Sequence, residues 1–237
     1  MLGQNWMLSA LAAWDRPLGR LARLPLRLIP RNLAVPVLSG PNRGRRWIVG
    51  AGAHACWLGH YEREKLAHVC RVLRPGMMVL DVGARAGFYT LALASRVGSS
   101  GRVIAIEADA ENVRRLRWHL ALNRVTNAQV VEAVACDHDG MVRFGDGSYL
   151  GDIDDSGAAV PAIPLDDLGY PDAIKIDIGG AEGAALAGAA RILERGRAHI
   201  FLVLYGISDE LALVLLQEHG YRLDWLGLDE LHAIPPH

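Results

Sequence analysis

Residues 79–94 read VLDVGARAGFYTLALA. An apolar run stops at Asp81, glycines follow at Gly83 and Gly87, and an apolar pattern of helical spacing begins. A strand here hands over to a helix, and α/β sheets bind nucleotides beyond such strand ends. Arg85 stands between the glycines and narrows the choice of nucleotide. The dinucleotide fingerprint GxGxxG, read from Gly83, would need glycine at Arg85 and at Phe88. It fails where the backbone must approach a pyrophosphate closely. A P-loop fails too, because no GK[ST] follows.

What remains is Asp81, Gly83 and Gly87, with Glu107 closing the next apolar run. That set suits S-adenosylmethionine, which has a sulfonium, an amino-acid tail and a ribose but no phosphate. Gly83 and Gly87 let the backbone turn tightly beneath the tail. Asp81 can hold the ammonium directly or through water. Glu107 can accept from both ribose hydroxyls in a charge-assisted arrangement. A solvated carboxylate at a strand end is the plainer alternative for Glu107, and its place beside Gly83 favours the ligand. Arg85 can stack, pair with an acid or point to solvent, and the sequence leaves all three open.

Outward from this unit, strands and helices alternate. Strands are predicted over 78–83, 102–108, 128–135, 172–178 and 199–206, and helices over 89–98, 111–123, 181–195 and 208–220. A Gly/Asp-rich loop runs from about 136 to 156, and strands over 221–227 and 230–235 form a closing hairpin. Continuous apolar strands separated by helices mean a mostly parallel sheet covered on both faces. Upstream, 1–31 reads as short amphipathic helices, 33–50 as a hairpin around GPNRG, and 60–76 as a helix stopped by Pro75-Gly76. Boundaries are expected at 1–58 for an N-terminal cap of helices and hairpin, and at 59–237 for the cofactor domain.

The stretch from LSGPNRGRRWIVGAGAHACWLGHYE to LHAIP resembles the FkbM-type family of S-adenosylmethionine-dependent O-methyltransferases. WLGHYE, VLDVGARAGFYTLALA, GRVIAIEADAENVRRLRWHLALN, VVEAVACDHDG and LDDLGYPDAIKIDIGGAEGAALAGAARIL carry the likeness. The resemblance implies a Rossmann-like class I methyltransferase, α/β, with a seven-stranded sheet whose last strand is antiparallel. It implies S-adenosyl-L-methionine as cofactor and S-adenosyl-L-homocysteine as product. Asp81, Gly83, Ala84, Gly87 and Glu107 become cofactor residues. Ala108, Asp109 and Asn112 border the adenosine, Val134 and Ala135 edge the adenine, and Tyr89 and Thr90 lie beneath the tail. Asp109 is equally placed to cap the following helix, and Tyr89 can be core.

Three departures stand out. Arg85 replaces the family's asparagine, Gly179 replaces a glutamate in KIDIGGAE, and LVLYG puts Val203 and Tyr205 where an acid and a histidine often sit. The last two changes take polar groups from the mouth of the sheet. Asp177 is the first candidate for a base, and Lys175 the second polar residue of that strand. With 23 arginines and only two lysines, Lys65 and Lys175, a lysine within AIKIDI is no casual surface charge. A structural ion pair is its alternative. Glu182, in the first turn of the next helix, reads as structural. His54, Trp57, His60, Tyr61 and Tyr205 are the candidate acceptor-binding residues, and His60 is a possible assisting base. No HxxxH, HExxH or closely spaced His/Asp set suggests a dedicated transition-metal site.

Composition bounds the rest. At 237 residues, 51% hydrophobic and 22% charged, the chain can bury a substantial core. The net charge of −1 hides an asymmetry: residues 1–50 hold eight arginines against Asp15, a balance of +7 that leaves −8 beyond. That segment can meet a membrane surface, a second subunit or the acidic body of its own chain, and the last is the simplest. Nothing reads as nucleic-acid recognition. Three dispersed cysteines and a start without a basic n-region point to the cytoplasm. The expected function is O-methylation of a small molecule, a sugar or glycolipid, or a polyketide-like natural product. A cofactor-binding protein with lost or altered activity is the alternative, and a membrane-surface protein the third.

Overall fold

The computed structural model describes residues 28–144, 158–205 and 209–236. The helices predicted within 1–27, and the part of the Gly/Asp-rich loop over 145–157, lie outside the described residues.

Strands β1 (Ala34–Pro36) and β2 (Arg46–Ile48) form the expected antiparallel hairpin, with Val35 opposite Trp47. Two helices follow, α1 (His54–Leu58) and α2 (Arg63–Val72). Only the second is legible in the sequence, because five residues are too few to show a period. Then come β3 (Met78–Val82), α3 (Phe88–Val97), β4 (Arg102–Glu107), α4 (Ala110–Leu122) and β5 (Ala128–Glu132). After β6 (Val134–Ala135), β7 (Gly140–Phe144) and β8 (Ala158–Ile163), the sheet resumes with β9 (Ala173–Ile176). Helices α5 (Glu182–Ala187) and α6 (Ala190–Arg195), β10 (His199–Val203), α7 (Asp209–Glu218), β11 (Arg222–Trp225) and β12 (Glu230–Ile234) complete it.

The main sheet has seven strands in the order β11-β12-β10-β9-β3-β4-β5. Strands β3, β4, β5, β9 and β10 run parallel, and β12 runs antiparallel to both β10 and β11. Alternation along the strands separates two cores. Val79, Val103, Ala105, Ala173 and Phe201 pack with α2, α3, α4 and the hairpin's Trp47. Leu80, Val82, Ile104, Ile106, Ile174 and Ile176 pack with α5, α6 and α7. The reversal of strand order between β3 and β9 opens a crevice at their carboxyl ends.

Two elements differ from expectation. The predicted strand over 128–135 is split: Ala133 still bonds to the Glu107 carbonyl at 3.1 Å, but β6 leaves to pair with β8. There it joins a three-stranded sheet with β7, which occupies part of the predicted loop. An apolar run reads alike whichever sheet receives it. The predicted helix over 181–195 is broken at Gly188, where a Cβ would collide with the Cys136 carbonyl.

Candidate active site

Asp81 and Lys175 are partners in register on adjacent parallel strands and point to the same face. Lys175 Nζ lies 3.2 Å from Asp81 Oδ1 and donates to the carbonyls of Val82 at 3.0 Å and Gly83 at 2.8 Å. Asp81 Oδ2 accepts from Thr90 Oγ1 at 2.6 Å. Asp81 and Thr90 are wholly buried and Lys175 nearly so. The three groups therefore hold the loop 83–87 from beneath. Asp81 and Thr90 line no crevice, so neither is presented for direct contact with a ligand's tail. The Lys175 ammonium is committed to three acceptors, which is the ion-pair alternative for this residue.

The glycines serve the same underside. Gly83 has φ 73°, and a Cβ there would strike the Asp177 carbonyl. Gly87 has φ 91°, and its missing Cβ makes room for the Leu116 side chain. Both positions need glycine for close packing of this chain on itself. His119 completes the support. Its Nε2 accepts from the Ile48 N–H at 3.0 Å, so Nδ1 carries the proton and donates to the Ala86 carbonyl at 2.7 Å. The ring stacks on Trp47 with centroids 3.9 Å apart, and Asn42 of the hairpin turn donates to the Phe88 carbonyl at 2.7 Å. Burial holds His119 down to about 4.

Above the loop lies a crevice of about 270 Å³. Gly83, Glu107, Ala108, Asp109, Asn112, Val134 and Ala135 line it together, as the sequence anticipates, with Ile106, Ala133 and Ile178 as added apolar walls. Glu107 Oε2 accepts from the Arg85 N–H at 2.7 Å and Oε1 from the Asp109 N–H at 2.9 Å. The carboxylate is thereby oriented at the crevice while it keeps lone pairs to offer. Asp109 Oδ1 caps α4 through the Asn112 N–H at 2.7 Å, and the residue also lines the crevice.

A second cavity of about 290 Å³ lies on the far side of the loop, under the hairpin and α1. Ala84, Tyr61, Tyr89, Cys56 and Arg115 line it, and Asp177 and Arg85 line both spaces. Asp177 Oδ1 accepts from the Tyr205 hydroxyl at 2.7 Å, and Tyr205 borders the crevice. Burial and the Glu62 carboxylate raise the hydroxyl of Tyr61, and burial and Asp177 that of Tyr205, so both stay protonated. Burial pushes the Cys56 thiol up to about 12.

The remaining acceptor-side candidates are not brought here. Trp57 is buried and donates to His54 Nδ1 at 3.1 Å within α1, His60 is exposed, and none of the three lines either space. His54 and Trp57 lie on α1, and His60 follows its C-cap Gly59. The sequence reading missed Glu62. Its backbone lies at φ 42°, and its carboxylate accepts from Tyr89 at 2.8 Å and faces Lys65 at 3.4 Å. An acid at the start of an amphipathic helix gives no signal of such a role. Among the described residues, Cys136, Asp137 and His138 bring metal-type donors within 4.8 Å, and none lines either space. No described helix is long and apolar enough to cross a membrane.

Comparisons with known proteins fit this geometry. Residues 81–223 match the methyltransferase FkbM domain. A methyltransferase FkbM from Methylobacillus flagellatus KT superposes with a TM-score of 0.52 at 23% identity, over 76% of this chain and 53% of that one. Precorrin-6y C5,15-methyltransferase from Geobacter metallireducens GS-15 gives 0.48 at 18% identity, over 72% of this chain and 87% of that one. Ribosomal RNA large subunit methyltransferase E from Xanthomonas campestris is 40% identical over 47 residues, 20% of this chain and 22% of that protein. The chain thus spans about half of the first structure and about a fifth of the curated relative. With most of the sheet inside the matched domain, the chain belongs to the FkbM family of S-adenosylmethionine-dependent methyltransferases.

Proposed function

We propose that this protein methylates a hydroxyl of a small molecule, with a sugar, glycolipid or polyketide-like compound as the acceptor class. One observation carries the reading: Asp177 lies at the junction of the two cavities, just past the carboxyl end of β9 and across β3 from Glu107. The residues suit the cofactor. Glu107 offers acceptor lone pairs to a pair of ribose hydroxyls, and Val134 and Ala135 offer an apolar edge for adenine. When bound, S-adenosylmethionine supplies a methyl group already activated on sulfur, and S-adenosylhomocysteine is the product.

The chain's own part is placement and proton removal. Holding an acceptor oxygen in line with a reacting carbon is worth up to about 7–11 kcal/mol. With the cofactor bound, Asp177 would take the hydroxyl proton that the acceptor loses, and Tyr205, which donates to that carboxylate, would position it. A positioned base contributes roughly 10²–10⁴-fold. Lys175, held by three acceptors, takes no proton in this scheme.

Gly179 lines the crevice with nothing within 4 Å of a notional Cβ, and Val203 is buried. Those features favour, as a second reading, a protein that binds the cofactor with altered chemistry. Methyl-labelled cofactor incubated with a hydroxyl library and with total RNA separates the cases. Labelled small molecules support the proposal. Binding without transfer supports the second reading, and labelled RNA alone contradicts a small acceptor. Asp177→Asn should lower turnover by about 10²–10⁴-fold with cofactor affinity little changed. Equal losses of both would give Asp177 a binding role instead.

A further inference from the structure

Four cations line the cavities around the loop: Lys65, Lys175, Arg85 and Arg115. Three are committed. Lys175 is held by Asp81 and two carbonyls. Lys65 lies 2.6 Å from Glu230 and 3.4 Å from Glu62. Arg115 lies 2.9 Å from Glu111. The Arg85 guanidinium alone makes no ion pair or hydrogen bond among the described residues.

Its placement is specific. Arg85 sits at φ 50°, a conformation that glycine and asparagine take more readily than a long side chain. Its N–H is tied to Glu107 at 2.7 Å, so its backbone adjoins the carboxylate proposed to hold the ribose. Arg85 is exposed and lines both cavities. Its charge opposes the rise of Cys56 and Tyr61 on the cap side and of Tyr205 beside the crevice.

A ligand that starts at Glu107 and passes over Gly83 into the second cavity must cross this cation. Resting on the cofactor reading above, we infer that Arg85 is the clamp for the α-carboxylate of the cofactor's amino-acid tail. The tail carries an α-carboxylate, and among the described residues Arg85 is the cation at this junction whose guanidinium has no ion pair or hydrogen bond. The planar guanidinium matches a carboxylate through two parallel hydrogen bonds, which no lysine reproduces.

The test is calorimetric titration of the full chain with two ligands that differ only in this group. One is S-adenosylhomocysteine, and the other is S-adenosyl-3-thiopropylamine, which keeps the amine and lacks the carboxylate. The wild type should prefer the first by roughly 10–100-fold, as expected for a hydrogen-bonded charge pair. Arg85→Ala should bring that preference close to one, and Arg85→Lys should restore part of it. The ratio is insensitive to a uniform loss of affinity, and the melting temperature of each variant reports folding separately. A preference that persists unchanged in Arg85→Ala overturns the assignment and points to an anionic acceptor or to solvent for this side chain. Failure of the wild type to bind either ligand overturns the cofactor reading itself, and this inference with it.

Discussion

Asp81 and Glu107 end neighbouring parallel strands and fall on the same face by alternation, since Asp81 pairs in register with Ala105, two residues before Glu107. Their surroundings are opposite. Asp81 lies under the loop 83–87, fully buried, with Lys175 and Thr90 as partners. Glu107 lies one strand step further out, faces the crevice, and is held by two backbone N–H groups. A carboxylate before the strand end is drawn into the core and has to be neutralised there. A carboxylate at the strand end keeps acceptor capacity for a ligand. The difference divides the loop's surroundings into an underside packed into the core and an upper side that faces the crevice.

The largest effect is expected on the underside. Asp81→Ala leaves the Lys175 ammonium buried without its counter-ion, and breaking such a pair costs about 3–5 kcal/mol. Urea denaturation should show that loss, and replacing Lys175 with Met in the same chain should recover part of it. A loss confined to cofactor affinity would erase the distinction between the two acids.

Acid should act on the underside as well. Burial holds both His119 and His232 down to about 4, well below the ordinary value of 6.5. Between those values the unfolded chain binds protons that the folded chain refuses, so stability falls as pH drops from about 6.5 towards 4. Each ring contributes at most ~3 kcal/mol over that window. For His119 the structural reason is definite: a proton on Nε2 would set it against the Ile48 N–H and break the ring's bond to the hairpin. Melting temperatures measured across this pH range check the slope, and a flat profile would show that these rings do not resist protonation.

The smallest of these effects belongs to the upper side. Glu107→Gln should weaken S-adenosylhomocysteine by roughly 10–100-fold, the scale of hydrogen bonds to a charged group. Its melting temperature should stay near that of the wild type. A stability loss comparable to that of Asp81→Ala would place Glu107 with the structural set.

The fold was legible because its signals are local. Apolar strands, helical spacing and turn residues give the order of elements from the hairpin to β12, and the strand and glycine pattern places the crevice. The crevice wall was legible for the same reason, since Glu107 through Asn112 is one strand end and one helix start. What escaped depends on partners distant in sequence. The Asp81–Lys175 pair joins residues 94 positions apart, and only the register of β3 with β9 makes them neighbours. Glu62 and Tyr89 meet across two helices, and the departure of β6 from the main sheet depends on β8. On the acceptor side, His54, Trp57 and His60 have suitable chemistry in a suitable segment, but they line neither cavity, and Trp57 and His54 bond to each other within a five-residue helix too short to read.

The most direct measurement of the central claim is a crystal structure of the protein with S-adenosylhomocysteine. The account predicts adenosine in the crevice between Glu107 and Val134–Ala135, both ribose hydroxyls on the Glu107 carboxylate, and Asp81 still bound to Lys175 and Thr90 beneath it. Adenosine lodged elsewhere, or a Glu107 carboxylate that makes no contact with the ribose, would contradict it.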